Sequence, residues 1–317
     1  MSRAPAVVLR PPVRAGVTAT VRVPATSANL GPGFDSMGLA LGIHDVVQLE
    51  LAASGIEVDV DGHGAGGVPL DETHLVIQAV RAAYDHAGVA QPGLRLRCRN
   101  AIPHGRGMGS SAAAVVAGLV AARGTLVEES VLDDASVLQI ATAFEGHPDN
   151  AAAALLGGVT LSWQDARGTA RAVRLDVHAD LQPVICVPDA ELATPAARAM
   201  LPAEVSHADA AFNAARSALL VQAITRQPEL LLEATQDRLH QHQRAPAMPH
   251  TAELVDRLRK LGAAAVVSGA GPSVLVLGIG DEVVETVQSA VASMPGSWQI
   301  HRPGVDTVGA LMATEGD

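Results

Sequence analysis

The amino-acid sequence predicts an α+β protein built from two lobes. Its 317 residues are 48% hydrophobic, which is enough for a large buried core and suits either one big domain or two of ordinary size. Segments in which apolar residues alternate, typical of strands, are interspersed with segments of helical spacing. The polar stretch 164–180 separates two such groups, so we predict an N-terminal lobe of residues 1–172 and a C-terminal lobe of residues 173–317.

The N-terminal lobe combines short strands with three helices. The predicted strands cover 17–23, 45–51, 56–60 and 94–99, with a further one ending near Trp163. The predicted helices cover 71–87, 110–123 and 131–144. Asp71 is a candidate N-cap for the first helix and Gly88 its stop, while Gly124 should end the second. Acidic residues alternate along 56–60 as on an exposed edge strand, and the connection 24–44 is too rich in glycine to be a strand.

The C-terminal lobe has the element order of a ferredoxin-like layer, once a helical insertion at about 194–239 is set aside. The predicted order is strand 183–187, helix 252–261, strands 263–267 and 273–277, helix 281–292 and strand 307–312. Such a layer packs its helices on one face of an antiparallel sheet. Its open face or edge can then pair with the first lobe or with a second subunit.

Charge and composition exclude several classes of protein. A formal net charge of −11 would repel a nucleic-acid backbone. The two cysteines, Cys98 and Cys186, are far apart and fit neither a metal site nor a disulfide framework, which suits a reducing cytoplasm. Residues 1–16 lack an apolar secretory core, and the apolar run 112–122 is too short to cross a bilayer. We expect a cytoplasmic protein with no nucleic-acid or membrane partner.

The segment 103–113, PHGRGMGSSAA, is the sharpest chemical signal. Glycines on alternate positions lead into a helix, so backbone N–H groups and the positive end of the helix dipole can surround a polyphosphate. Ser110 and Ser111 can cap the helix or ligate a phosphate-bound Mg²⁺. The absence of a following Gly-Lys-Ser/Thr excludes a Walker loop. The alternative interpretation is a glycine-rich turn with a serine N-cap.

Two further segments also interrupt strands with glycines. Segment 24–35, PATSANLGPGFD, carries Asn29 and Asp35, which could hold an ammonium or a hydroxyl group. Segment 267–273, VSGAGPS, could close its backbone over a ligand. Each has a structural alternative: turn-forming residues in the first and a tight hairpin in the second. The same holds for 145–150, EGHPDN, which could simply end a helix and turn the chain.

In this order, the segments resemble the small-metabolite kinases named for galactokinase, homoserine kinase, mevalonate kinase and phosphomevalonate kinase. The resemblance spans nearly the whole chain: 103–113 looks like the phosphate-binding loop, with Met108 where Leu is usual, and 268–273 like the third motif. Segments 24–40 and 145–150 are most similar to the homoserine-specific branch. The resemblance implies an N-terminal ribosomal-protein-S5-domain-2-like lobe and a ferredoxin-like C-terminal lobe, with ATP and L-homoserine in the cleft between them.

The resemblance also implies the site residues. Mg²⁺ is expected on Glu145 with Ser110 or Ser111. The nucleotide is expected on Pro103, Gly105, Arg106, Gly107, Met108, Gly109, Ser110, Ser111, Ala112 and Ala113. The acceptor is expected on Asn29, Asp35, His147, Asn150, Thr194, Arg198, Arg244 and Gly269. Homoserine is a zwitterion, so its carboxylate suits Arg198 and Arg244, its ammonium suits Asp35 and its hydroxyl suits Asn150.

Phosphoryl transfer depends mainly on charge neutralisation and in-line positioning, so a strong base is optional. We assign catalytic positions to Asn150, Asp149 and Asp35 and leave open whether Asp149 is a base. With 2% aromatic residues, an apolar aliphatic slot is expected to hold adenine. His240 and His242 receive no role, and a homodimer is a family expectation. The alternatives are a related kinase acting on mevalonate or a sugar, and a non-catalytic nucleotide or metabolite sensor.

Overall fold

The computed structural model describes residues 13, 14 and 16–315. The strands are β1 (Thr18–Ala28), β2 (Met37–Ala52), β3 (Ile56–Gly62), β4 (Gly93–Asn100), β5 (Val159–Gln164), β6 (Ala170–Leu175), β7 (Leu181–Pro188), β8 (Ala264–Val267), β9 (Val274–Ile279), β10 (Trp298–His301) and β11 (Leu311–Glu315). The α-helices are α1 (Leu75–Ala87), α2 (Ser110–Thr125), α3 (Asp134–Glu145), α4 (Asp149–Leu156), α5 (Thr194–Arg198), α6 (His207–Thr225), α7 (Leu231–Ala234), α8 (Gln241–Arg244), α9 (Pro249–Lys260) and α10 (Glu282–Val291). Short 3-10 turns precede α3, α7 and α9.

The strands form two sheets. The larger has seven strands, with the order β11-β1-β2-β4-β3, and β5 extends it by pairing with the start of β2 and with β6. β3 lies at the end of this order and runs parallel to β4, which confirms the predicted edge strand. The smaller sheet has the antiparallel order β10-β7-β9-β8, which confirms the ferredoxin-like layer.

The predicted last strand of that layer, 307–312, is wrong. β10 is its fourth strand, and β11 instead pairs antiparallel with β1, placing Thr18 opposite Glu315 and Arg22 opposite Leu311. This pairing covers the edge of β1, whose backbone groups would otherwise lack ladder partners. The lobe boundary at 172/173 remains a prediction, although β6 crosses it and β11 returns to the N-terminal sheet.

The glycine-rich connection 24–44 is shorter than predicted, because β1 continues to Ala28 and β2 begins at Met37. The glycines that suggested a loop instead permit close packing. A Cβ at Gly38 would meet the Asp149 carbonyl, and one at Gly42 would meet the Pro303 carbonyl. Small residues within strands can therefore mark close backbone approach rather than a turn.

The predicted helix ends are corrected at several points. α1 starts at Leu75 after His74, not at Asp71, whose carboxylate instead accepts hydrogen bonds at 2.8 Å and 2.5 Å from Thr73. Gly88 ends α1 in the left-handed conformation as expected, at φ +66°. α2 runs through Gly124 to Thr125, and this glycine serves close packing rather than helix termination, since a Cβ there would press against Ala19 and Met312. α4 begins at Asp149, where only a turn and an alanine-rich segment were expected.

One apolar core joins the two sheets. Ile185, Val266 and Leu275 of the smaller sheet belong to the same buried cluster as the strands and helices of the N-terminal lobe. Residues of α6 and α7 fill the space between, including Leu220, Ile224 and Leu231. A second cluster lies on the other face of the smaller sheet, against α9 and α10. The shared core holds the phosphate-loop segment and the third motif against each other.

None of the helices within the described residues is long and apolar enough to span a membrane. The expected lack of a secretory leader rests partly on residues 1–12, which lie outside the described residues.

Candidate active site

A cavity of about 200 Å³ lies where the two lobes meet. It is lined by residues from all four segments that the sequence singled out, together with the start of the helical insertion. The predicted site residues that line it are Asn29, Asp35, Gly105, Gly107, Met108, Gly109, Ser110, Ser111, Glu145, His147, Asp149, Asn150, Thr194, Arg198, Arg244 and Gly269. The structure therefore brings together residues that are more than two hundred positions apart.

Four residues predicted for the nucleotide do not line this cavity: Pro103, Arg106, Ala112 and Ala113. Ala112 and Ala113 are fully buried inside the protein. The Arg106 side chain crosses to the other lobe, where it donates to the carbonyls of Pro188 at 3.0 Å and Asp189 at 3.1 Å. It also lies 3.4 Å from Glu191. Arg106 thus fastens the loop to the C-terminal lobe, and its guanidinium is already occupied by protein groups.

The phosphate loop has the backbone that its glycines suggested. Gly105, Gly107 and Gly109 have φ of +64°, +72° and +66°, the left-handed region that side chains disfavour. The loop leads directly into the 16-residue helix α2, whose first N–H groups have no partner within the helix. The Ser268 hydroxyl donates to the Gly107 carbonyl at 2.6 Å, which ties the loop to the third motif.

Ser111 and Glu145 form a polar pair at the start of α2. The Ser111 hydroxyl donates to the Glu145 carboxylate across 2.6 Å, linking the first turn of α2 to the last residue of α3. Burial raises the pKa of the Glu145 carboxyl, while the hydrogen bond from Ser111 lowers it in part. The half-buried Glu145 carboxylate beside the exposed Ser111 hydroxyl offers two hard oxygen atoms to a cation.

The substrate loop, residues 29–36 between β1 and β2, is held in an unusual conformation. Asn29, Leu30 and Asp35 all have positive φ, at +70°, +49° and +54°. Such conformations are costly for residues with side chains and persist only when neighbours hold them. Asn29 supplies part of that support: its amide donates to the Gly269 carbonyl at 2.8 Å and accepts from the Asp35 N–H at 3.0 Å. The loop is thereby joined to the third motif.

Asp35 and Arg198 form a two-pronged ion pair across the cavity mouth. The guanidinium of Arg198 donates to both carboxylate oxygens, at 2.7 Å and 3.0 Å. The hydrogen bond to Asp35 raises the pKa of Arg198. The two residues that the sequence assigned to opposite ends of the acceptor are thus paired with each other.

Arg244 lies in a different environment, with 2% of its surface exposed. Its guanidinium donates to the carbonyls of Ala197 and Gly269 and to Nδ1 of His240, each at 3.3 Å. Among the described residues, no carboxylate forms an ion pair with it. Burial lowers its pKa, with a further contribution from Arg198. The cavity is therefore lined by a buried cation whose protein partners are all neutral.

Asp149 organises the opposite wall from the N-terminus of α4. Its Oδ1 atom lies 2.6 Å from Nδ1 of His147 and accepts from the Asn150 N–H at 2.7 Å. The hydrogen bond to Asp149 raises the pKa of His147. The side-chain oxygen of Asn150 accepts at 2.8 Å from the hydroxyl of Thr26, a buried residue of β1. Metal-ligating atoms of Asp35, His147 and Asp149 lie within 4.8 Å of one another, but each of these groups is already engaged with a neighbour.

Sequence reasoning missed several contributors to this site. Thr26 falls inside the quoted substrate segment but received no role, and His240 was set aside among the histidines. The adjoining slot of about 270 Å³ shares Ser110 and Ser111 with the main cavity and has the predicted aliphatic lining, including Val47, Val68, Leu75, Val76 and Ala114. His74, also in its wall, has a buried Nδ1 atom without a hydrogen-bond partner in the described structure. The position of His74 in this wall depends on tertiary packing, so no local sequence pattern indicated it.

Comparison with known proteins defines the class. The profile of the GHMP kinases N-terminal domain matches residues 74–158, and that of the GHMP kinases C-terminal domain matches residues 215–295. The chain therefore belongs to the GHMP kinases, which confirms both the predicted family and the fold.

The relatives narrow this class further. Homoserine kinases of Streptomyces coelicolor and Mycolicibacterium smegmatis are 53% and 52% identical to the chain, over 92% and 83% of it and over 93% and 85% of their own lengths. The crystal structure of homoserine kinase from Cytophaga hutchinsonii matches with a TM-score of 0.81 at 25% identity, covering 93% of this chain and 97% of that one. Within the GHMP kinases, the chain groups with the homoserine kinases. The prediction of an enzyme rather than a sensor is confirmed.

Proposed function

We propose that the protein transfers the γ-phosphoryl group of ATP to the side-chain hydroxyl of L-homoserine, giving O-phospho-L-homoserine for threonine biosynthesis. The observation that carries this proposal is the buried guanidinium of Arg244, which lines the same cavity as the phosphate loop and has no carboxylate partner among the described residues. A buried cation of this kind is stabilised by an anionic ligand, because its own desolvation is costly. An amino-acid carboxylate supplies that anion.

We place the ATP triphosphate over the phosphate loop and the N-terminus of α2, where unpaired N–H groups and the helix dipole favour anions. The aliphatic slot beside Ser110 and Ser111 then takes the adenine. His74 lies in its wall, and burial lowers the pKa of that ring.

We assign Mg²⁺ to Ser111 and Glu145, with Ser110 as the neighbouring hydroxyl. The residues fit the ion: a hydroxyl and a carboxylate oxygen 2.6 Å apart are hard donors beside the phosphate loop. The raised pKa of Glu145 also fits, since a partly desolvated carboxyl of this kind would be stabilised as an anion by a nearby cation. When bound, Mg²⁺ would neutralise charge on the phosphate oxygens.

We orient homoserine with its carboxylate on Arg244 and its ammonium on Asp35, whose pairing with Arg198 leaves lone pairs on both carboxylate oxygens. The third motif adds the Gly269 carbonyl, which already accepts from Asn29 and Arg244. The acceptor hydroxyl then lies against Asn150. Because Thr26 donates to Oδ1 of Asn150, the amide N–H₂ of Asn150 is the end that can donate to the acceptor hydroxyl; it makes one long contact, 3.5 Å, to Oδ1 of Asp149. His147 and Thr194 complete the wall.

We propose that transfer proceeds without a strong base. The loose transition state needs an aligned hydroxyl and neutralised phosphate oxygens more than early proton removal. Oδ1 of Asp149 is occupied by His147 and by the N–H of Asn150, so Asp149 holds these two residues in place. The hydroxyl proton is lost late, to an oxygen of the transferred phosphoryl group.

A coupled ADP-release assay with MgATP tests this function. L-homoserine, mevalonate, galactose and L-threonine are offered in parallel to the purified protein, with the Glu145→Ala variant as the matched inactive control. We expect turnover with homoserine alone. Turnover with mevalonate or galactose and none with homoserine would contradict the proposed acceptor, while retaining the kinase class.

We further propose that the enzyme acts in the cytoplasm and as a homodimer. Both cysteines, Cys98 and Cys186, are buried and free, which suits a reducing compartment. The dimer rests on the family expectation, and light scattering on the purified protein tests it. A mass of one chain at micromolar concentration would contradict it.

A further inference from the structure

His240 lies behind the cavity, with none of its surface exposed. Its two ring nitrogens contact two parts of the site, the substrate loop and Arg244. One ring nitrogen, Nε2, lies 2.8 Å from the carbonyl oxygen of Gly31 in the substrate loop. The other, Nδ1, lies 3.3 Å from Nη1 of Arg244, four residues further along the chain.

These two partners fix the proton on the ring. A carbonyl oxygen can only accept, so Nε2 must carry the hydrogen that is donated to Gly31. A guanidinium can only donate, so Nδ1 must be unprotonated. Both contacts are satisfied by one form of the ring alone, the neutral Nε2–H tautomer. Burial lowers the pKa of His240 and outweighs the Asp237 carboxylate, 3.7 Å from Nε2, which raises it; this direction agrees with a neutral ring.

The surroundings of His240 hold it in this orientation. The Asp237 carboxylate accepts hydrogen bonds from the backbone N–H groups of Leu239, His240 and Gln241, at 2.9 to 3.1 Å. On the other side, the His240 ring lies 5.1 Å from the ring of Phe34 in the substrate loop, centre to centre. The Arg244 guanidinium is 5.4 Å from the same Phe34 ring. The three side chains therefore pack as one unit.

The substrate loop needs such support because three of its residues with side chains have positive φ. Other contacts from the C-terminal part of the chain act on the next residue, since Asn213 and Ser217 both donate to the Pro32 carbonyl at 2.8 Å. His240 hydrogen-bonds through its side chain both to this loop and to the guanidinium of Arg244. Two other loop residues also reach Arg244: Phe34 contacts its guanidinium through the ring, and Asn29 shares the Gly269 carbonyl with it.

We propose that His240, as its neutral Nε2–H tautomer, is a positioning residue that fixes Arg244 and the substrate loop in a single arrangement, so that recognition of the acceptor carboxylate depends on it. This inference rests on the proposed function, in which Arg244 contacts that carboxylate. His240 itself touches no substrate.

Three substitutions separate its two contacts. His240→Asn places an amide oxygen near the position of Nδ1 and keeps an acceptor for Arg244. His240→Gln places an amide N–H near the position of Nε2 and keeps the donor to Gly31. His240→Leu removes both contacts at similar volume. His242→Leu, on an exposed residue of the same short helix α8, is the matched control.

Each variant is assayed with homoserine and with 3-aminopropan-1-ol, which is homoserine without its carboxylate. We expect His240→Leu and His240→Gln to raise KM for homoserine about tenfold, because a hydrogen bond to a charged group is lost. For His240→Gln, which keeps the contact with the substrate loop, KM for ATP and kcat/KM for 3-aminopropan-1-ol should stay within about twofold. His240→Asn, which keeps the acceptor for Arg244, should raise KM for homoserine less than His240→Leu does. Equal losses of the Gln variant with both acceptors, or an Asn variant as impaired as Leu, would overturn the proposal.

A second measurement uses the unsubstituted protein. The ¹⁵N chemical shifts of its labelled histidines should show one ring that stays in the neutral Nε2–H form from pH 6 to pH 8. A His240 signal of the Nδ1–H tautomer or of the imidazolium would overturn the proposal even if the variants fail to fold. Failure of the unsubstituted enzyme to phosphorylate homoserine would instead contradict the proposed function, so the two failures are distinguishable.

Discussion

The hydroxyl of Ser111 donates to the carboxylate of Glu145 across 2.6 Å, joining the first turn of α2 to the end of α3. The two residues are 34 positions apart in the sequence, so only the tertiary fold brings them into contact. The pair places two hard oxygen atoms beside the N-terminal end of α2, where a cation would face the phosphates of a nucleotide bound as proposed.

The Glu145→Ala variant tests this pair. We expect kcat to fall by about a hundredfold or more, because the Mg²⁺ that Glu145 would hold is no longer in place to neutralise charge on the transferring phosphoryl group. Nucleotide affinity measured without Mg²⁺ should change by less than about threefold, since the phosphate loop is intact. Titration calorimetry with ADP provides the second readout. Full turnover in the variant would remove Glu145 from the proposed metal site.

The Asp149→Asn variant tests the role of a general base. We expect turnover to fall less than about tenfold, whereas loss of a true base costs about a hundredfold or more. The hydrogen bond from His147 is weakened, so the pKa of His147 should fall towards its ordinary value. The acid limb of any pH–rate profile governed by His147 should then move to lower pH. A thousandfold loss of kcat would establish Asp149 as a base.

The Arg244→Met variant tests the buried cation. We expect KM for homoserine to rise about a hundredfold, because the carboxylate loses its charged partner. The free energy of unfolding should not fall by more than about 1 kcal/mol, since Arg244 forms no ion pair within the described residues and the nearby buried Asp237 carboxylate keeps its three backbone N–H donors. Urea denaturation and steady-state kinetics measure the two effects. A loss of about 3 to 5 kcal/mol would indicate that Arg244 is part of a buried ion pair after all.

The Gly109→Ala variant tests the phosphate loop. A Cβ at this position would overlap the Thr26 hydroxyl and crowd Asn150, and the residue has φ +66°. We expect about a hundredfold loss of kcat/KM with a stability loss of about 1 to 3 kcal/mol. Gly88→Ala is the matched control, because Gly88 also has φ +66° but nothing within 4 Å of an added Cβ. It should lose stability without losing activity, and an equal loss of activity in both variants would contradict the assignment.

The Asp45→Asn variant tests a buried carboxyl in the wall of the aliphatic slot. Burial raises the pKa of Asp45 from 3.8 to about 6, although the N–H groups of Ala101 and Ile102 donate to it. A raised pKa in the folded state means that stability is highest below about pH 4 and is lost as the pH rises towards 6. The uncharged amide keeps both acceptor contacts and avoids this loss.

Asp45→Asn should therefore raise the free energy of unfolding by about 3 kcal/mol at pH 8 and by about half as much at pH 5. Urea denaturation of the ligand-free protein at the two pH values measures the difference. A gain that is the same at pH 5 and pH 8 would contradict the raised pKa of Asp45.

Local sequence predicted those parts of the site whose conformation depends on neighbouring residues. The alternating glycines of 105–109 did adopt left-handed conformations, and the helix did begin at Ser110. The end of α1 at Gly88 was predicted for the same reason. Errors occurred where packing outweighs local preference. Gly38 and Gly42 lie in a strand because neighbouring backbone comes close, and the C-terminal strand β11 left its own lobe to cover β1.

The sequence by itself determined the glycine-rich loop before α2 and the order of the second lobe except for its last strand, because these follow from residue types at short spacing. The kinase family was indicated by the resemblance of four segments to known kinases. Only the tertiary structure decided that Asp35 pairs with Arg198, 163 positions away, and that Arg244 is buried against His240 and the third motif. Backbone preferences act over a few neighbouring residues, whereas the burial of a charge and the choice of its partner depend on the free energy of packing the whole chain.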